Sequence, residues 1–167
     1  MIRFRNGFPL ALLVAATVLA GCATVANADD SVEQEQRNLE LVRNAFQGGV
    51  GGADGFYSIL ADDVEWTIAR ATEPTTYVGR QQFLDRGAQP ILGRLTGPIQ
   101  ADIHELISND DEVVALWRGT ATAVDGRPYV NEYAWVMTLR DNRVSKVTAF
   151  LDLVALQDLM SRVALRS

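Results

Sequence analysis

The chain has 167 residues, 48% of them hydrophobic, and a formal charge of −6. That length suits one domain, and an acidic chain whose single lysine is Lys146 is a poor binder of polyanions, so nucleic acid is excluded as a partner. One cysteine and one histidine supply neither an internal disulfide nor any metal-ligand spacing, so no metal and no cofactor is expected and core burial must hold the fold.

Arg3 and Arg5 precede a short apolar run, FPLALLVAATVLA (8–20), too short to span a bilayer and patterned as a secretory signal. Two cleavage readings follow. Leu19-Ala20-Gly21-Cys22 resembles the bacterial lipobox, which implies a signal peptide over residues 1–21 and acyl chains on Cys22. Such a protein is lipid-anchored to an envelope membrane, outside the cytoplasm. Ala26-Asn27-Ala28 is an A-x-A site, and cleavage after Ala28 implies a soluble periplasmic or secreted product. The lipobox is the more specific pattern, because it uses the chain's one cysteine. Its removal of two arginines and no acids leaves thirteen basic against twenty-one acidic residues, a charge of −8. Residues 22–30 then read as a tether and residues 31–162 as the domain.

Ser31 with Gln34 reads as a capping box, and Leu39, Val42 and Phe46 recur at helical spacing until Gly48-Gly49. GGVGGADG (48–55) follows a helix and lacks the Lys-Ser/Thr of a phosphate loop, so it reads as a turn. FYSILADDVEW (56–66) predicts a short helix running into a strand over residues 64–68. A second long helix spans residues 79–95, with Phe83, Leu84, Gly87, Ala88, Ile91 and Leu92 on one face and a bend near Pro90. Four strands follow at 99–108, 112–124, 129–139 and 144–151, with turns at Asn109-Asp110, Asp125-Gly126 and Asp141-Asn142. Pro128 precedes the third strand, where a missing N–H does least harm. A last helix covers residues 153–162. Helices first and hairpins after predict an α+β fold: a curved antiparallel sheet packed against N-terminal helices, with a short C-terminal helix.

In that order, FYSILADDVEW (56–66), YVGRQQF (77–83), IHELISNDDEVVALWRGTAT (103–122) and GRPYVNEYAWVMTLRDNRVSKVTAFLDL (126–153) resemble the cone-shaped superfamily of nuclear transport factor 2, ketosteroid isomerase and the SnoaL-like polyketide cyclases. SnoaL-like proteins are the nearest subgroup. The resemblance implies a cone with a deep apolar pocket for a small hydrophobic molecule, cofactor-free isomerisation, cyclisation or hydration, and a homodimer formed through the outer sheet face. It equally admits a non-catalytic ligand-binding or dimerisation module of the cell envelope.

Trp66, Trp117 and Trp135 fall in strands, with Tyr57, Tyr133 and Phe150 nearby, and read either as pocket walls or as core packing. Period-2 alternation puts Tyr129, Asn131, Tyr133 and Trp135 on one face. Asp152, on the face of Thr148 and Phe150, has two readings. The resemblance implies an acid or base at about this place, whose pKa an apolar pocket would raise; an ordinary alternative is the N-cap of the last helix, accepting from the N–H of Val154 or Ala155. His104 beside Asp102 and Glu105 is a candidate acid or base, or a structural histidine. Arg118 interrupts an apolar strand and, with Tyr133, is a candidate to place substrate or stabilise charge. Limonene-type epoxide hydrolases carry Arg-x-Asp where this chain has Arg118-Gly119-Thr120. Ketosteroid isomerases keep their base where this chain has Trp66-Thr67-Ile68. No nucleophile elbow occurs.

Overall fold

A computed structural model describes residues 19–165, with side chains from residue 30 onward. Residues 1–18 of the expected signal peptide and the side chain of Cys22 lie outside the described residues. Helix α1 runs Leu19–Gln47. Helical backbone therefore begins ahead of Ser31, which sits inside the helix with Gln34 and does not open it. Val42, Ala45 and Phe46 form its buried stripe. Asn38, buried on the same helix, donates to the Asp110 carbonyl at 3.2 Å, and the Glu35 carboxylate accepts the Asp110 N–H at 3.0 Å. The helix is thereby pinned to a hairpin turn. It stops at Gly48-Gly49, where Gly49 takes φ +74°, a left-handed conformation that glycine adopts without a Cβ penalty.

A single 3-10 turn, Phe56–Ile59, leads into β1 (Leu60–Ile68), followed by β2 (Thr75–Val78). The helical stretch over residues 80–92 has three parts: α2 (Arg80–Phe83), a π-helical turn (Leu84–Ala88) and α3 (Gln89–Leu92). The expected bend takes this form because Pro90 has no N–H and its ring crowds the preceding turn. The Gln89 N–H bonds back to Leu84, one residue further than an α-helix allows. Strands β3 (Gln100–Asn109), β4 (Glu112–Thr122), β5 (Pro128–Arg140) and β6 (Arg143–Leu151) precede α4 (Leu153–Arg162).

These strands form one curved, open sheet in the order β2-β1-β6-β5-β4-β3. The β3-to-β6 meander is antiparallel as expected. At Asp141-Asn142 both residues have positive φ, the mirror-image turn that matches strand twist. Two features differ from the sequence reading. Strand β2 is an addition, paired to β1, and β1 lies parallel to β6, so the sheet is mixed and not wholly antiparallel. The inner face holds the core and the helices cover it, in the α+β architecture of a cone. Arg162 fastens α4 from outside: it pairs with Asp125 in the β4–β5 turn, with Asp158 at 2.8 Å, and with the Pro128 carbonyl at 3.1 Å.

Candidate functional site

Alternation builds the site. Along β4 and β5 the inward positions are Ala115, Trp117 and Gly119, then Tyr129, Asn131, Tyr133 and Trp135. Trp117 and Tyr133, cross-strand partners, stack with centroids 4.1 Å apart and planes 11° from parallel. Trp66 on β1 stacks against Phe83 from the helical stretch at 4.0 Å and 13°. Trp135 stands edge-on between the two stacks, 84° to Trp66 and 80° to Trp117. Gly119 is what lets the first stack close, since a Cβ there would meet Tyr133 Cε2 and Ile99 Cγ2 at 2.8 Å.

These rings and the helical stretch enclose a cavity of about 40 Å³. Phe83, Gly87, Ala88, Ile91 and Leu92 form one wall; Tyr57, Trp66, Trp117, Tyr133 and Trp135 form the other. Val50, Ile68, Ile99, Ala149 and Leu151 complete the lining. No carboxylate, imidazole, amide or cationic group lines it among the described residues. Its polar atoms belong to two phenols and to indoles.

Burial raises the pKa of Tyr133 well above the usual phenol value, and the neighbouring Tyr129 adds to it. Tyr129 is raised by burial, partly offset by hydrogen bonds from Tyr133 and Asn131. Tyr57 keeps part of its ring at the surface, yet burial of its hydroxyl raises it too. All three stay protonated at neutral pH. Behind Tyr133 runs a buried polar line: its hydroxyl shares a hydrogen bond of 3.0 Å with that of Tyr129, and Asn131 Nδ2 donates to Tyr129 at 3.0 Å. Asn131 also clamps the Asp152 backbone, donating to its carbonyl at 3.0 Å and accepting its N–H at 2.9 Å.

Of the candidate residues, Tyr57, Trp66, Trp117, Tyr133 and Trp135 meet at the cavity, while Asn131 is buried behind it. Asp152 does not reach it. Its carboxylate is an exposed N-cap of α4, accepting from Val154 N at 2.8 Å and Ala155 N at 3.1 Å, because β6 turns Val147, Ala149 and Leu151 inward and Phe150 and Asp152 outward. Phe150 is accordingly 50% exposed, on the outer face. His104 is the extra residue of a bulge between Ile103 and Glu105, and its ring lies outside, 3.5 Å from Glu132. Arg118 is its neighbour there, with Nε 2.5 Å from the other Glu132 oxygen. That guanidinium, more than His104, holds the Glu132 carboxyl below its usual range. This trio is half-exposed and separate from the pocket.

The sequence places Tyr129 on the face of Tyr133 and Trp135 without marking its hydrogen bond to Tyr133, and it does not mark the helical wall as part of a pocket. The 83/87/91 and 84/88/92 spacing marked that helix face as buried without saying that it fronts a cavity. Among the described residues no group of side chains is arranged to hold a metal, and no helix is long and apolar enough to cross a membrane.

A model of the SnoaL-like domain matches residues 40–147. No curated protein matches the chain. A putative SnoaL-like polyketide cyclase from Jannaschia sp. CCS1 superposes with a TM-score of 0.61 at 19% identity, covering 77% of this chain and 94% of that one. A phenazine biosynthesis-related protein from Pseudomonas aeruginosa gives 0.63 at 13% identity, covering 84% and 94%. TerC, crystallised with polyporic acid, gives 0.60 at 22% identity, covering 75% and 98%.

Proposed function

We infer the function from a premise that this match supplies: the chain belongs to the SnoaL-like domain family. The reading we propose is a binding protein for a small hydrophobic molecule, held on the inner face of the cone. One observation carries it: the cavity wall is aromatic and aliphatic, with donor groups and no base. An isomerase, cyclase or hydratase working through Asp152 has less support, because that carboxylate is committed to the helix end. That one neighbour of this fold was crystallised with polyporic acid is consistent with small-molecule binding.

Ligand pockets are typically several hundred Å³, far above 40 Å³. Larger ligands therefore enter as the Arg80–Leu92 wall yields, and its π turn and short helices make it the less regular side. The test is saturable binding of toluene, read by tryptophan fluorescence. It should survive Asp152→Asn and disappear when Ala149→Leu fills the cavity. Absence of any saturable response in the native chain would sink the pocket.

We further propose that acyl chains on Cys22 hold the domain on an envelope membrane outside the cytoplasm. Mass spectrometry of the mature protein decides this: an acylated Cys22 at the N-terminus supports it, and a start at Asp29 means release after Ala28. A second copy docking on the outer face, where Val130, Ile107 and Phe150 are exposed, makes the homodimer; a monomer in analytical ultracentrifugation overturns that.

A further inference from the structure

Trp117 Nε1 and Trp135 Nε1 are, among the described residues, the buried side-chain polar atoms with no hydrogen-bond partner. Their residues are 1% and 3% exposed, on adjacent strands, and both line the cavity. A buried donor left unpaired costs about 1–3 kcal/mol, and native proteins keep few of them. Two on residues of one wall call for an explanation.

The wall itself has little to accept them. Its other side-chain polar groups are the Trp66 indole, itself only a donor, and the hydroxyls of Tyr57 and Tyr133, the latter engaged with Tyr129. An indole can donate and cannot accept. A carboxylate ligand would shed its hydration with no cation in the wall to replace it. An amine would bring further donors to a site already short of acceptors. A hydrocarbon would leave both N–H groups unmet.

We propose that the pocket selects an uncharged ligand whose polar atoms are hydrogen-bond acceptors, a ketone or related carbonyl compound, bound by the indole N–H groups of Trp117 and Trp135. This deepens the pocket reading and rests on it. The two indoles are then binding residues, and Trp66 with Phe83 contributes shape.

The experiment uses the full chain labelled with ¹⁵N, cyclohexanone as probe and cyclohexane as the same ring without oxygen. Neither probe has a ring current, so indole proton shifts report hydrogen bonding. Single Trp→Phe variants assign the three indole signals. Cyclohexanone should move the Trp117 and Trp135 N–H protons downfield, and cyclohexane should not. In Trp117→Phe or Trp135→Phe the cyclohexanone Kd should rise about fivefold, the loss of one hydrogen bond, with cyclohexane unaffected or tighter. If both probes bind saturably and neither moves those protons downfield, the N–H groups are satisfied by neighbouring ring faces; the inference falls and the pocket stands. If neither probe binds, the pocket reading falls with it. The shifts are read on the native chain, so a variant that misfolds leaves the question decidable.

Discussion

The two faces of the sheet divide residue types in a way that inverts a first guess about chemistry. Groups that suit acid–base work, His104, Glu132, Arg118 and Asp152, stand on the outer face or at its end, half-exposed or exposed. The inner face, where a ligand can be shut away from water, holds phenols and indoles. Outside, water screens each charge and each pair is worth little. Inside, every ring contact and every hydrogen bond is made in a dry setting. The lesson is that location decides a side chain's role before its chemical type does.

The contrast is tested most strongly by truncation. Trp135→Ala should cost about 3–5 kcal/mol, because that ring touches both aromatic stacks and Phe56. Phe150→Ala on the outer face should cost under about 1 kcal/mol in the monomer. Urea denaturation of both variants compares them, and equal losses would erase the distinction between the faces.

Alkaline titration comes next. Tyr129 and Tyr133 have pKa values raised above the usual 10.0, so the folded chain holds their protons where the unfolded chain releases them. Their contribution is whole below about pH 10 and declines as the pH climbs past it, by about 1.4 kcal/mol per pH unit for each tyrosine kept neutral. Urea midpoints at pH 9, 10 and 11, with absorbance at 295 nm, follow this. Tyrosinate forming in the folded protein with every midpoint near 10 would mean that the inner face is wet.

Much of this architecture can be read along the chain. Turn residues at Asp141-Asn142 and the apolar alternation mark β5 and β6 to within a residue, and α4 is found at its full extent. Strand β2 escapes such reading because Thr75–Val78 is short and half-exposed, and it is a strand by virtue of its pairing with β1. The site is legible in part for a similar reason. Period 2 groups Asp152 with Phe150 and Thr148 correctly, but which face is inner depends on Val147 and Ala149 meeting the core. At His104 the bulge adds a residue, so counting by twos through β3 loses phase.

A smaller effect sharpens the assignment of Asp152. Asp152→Ala should cost about 1 kcal/mol through the lost cap, while Asp152→Asn, itself a good N-cap, should cost a few tenths. Chemical denaturation distinguishes them. If Asn and Ala are equally damaging, charge matters more than capping.

The smallest expected change concerns Glu132. Its carboxyl is held low chiefly by Arg118, so what it contributes is present above the ordinary glutamate value of 4.5 and fades as the pH falls further. Glu132→Gln should leave stability near neutrality almost unchanged and should flatten its acid dependence slightly. A large loss at pH 7 would show that the outer face is tied to the core after all.

The parallel seam between β1 and β6 joins Trp66 to Val147 and Ile68 to Ala149, and it has a consequence in time. β1 lies about eighty residues ahead of its partner, so a chain made or delivered from its N-terminus presents β1 well before β6. Through that interval β1 has β2 on one edge and an empty edge on the other. The hairpins β3 to β6, being local, can close quickly once made, whereas the seam must span the longest connection in the sheet and is the step that sequence separation predicts to be slowest. A strand that is apolar on one face only, with that edge open, is the part of this molecule most exposed to a chaperone, or to pairing with a stranger.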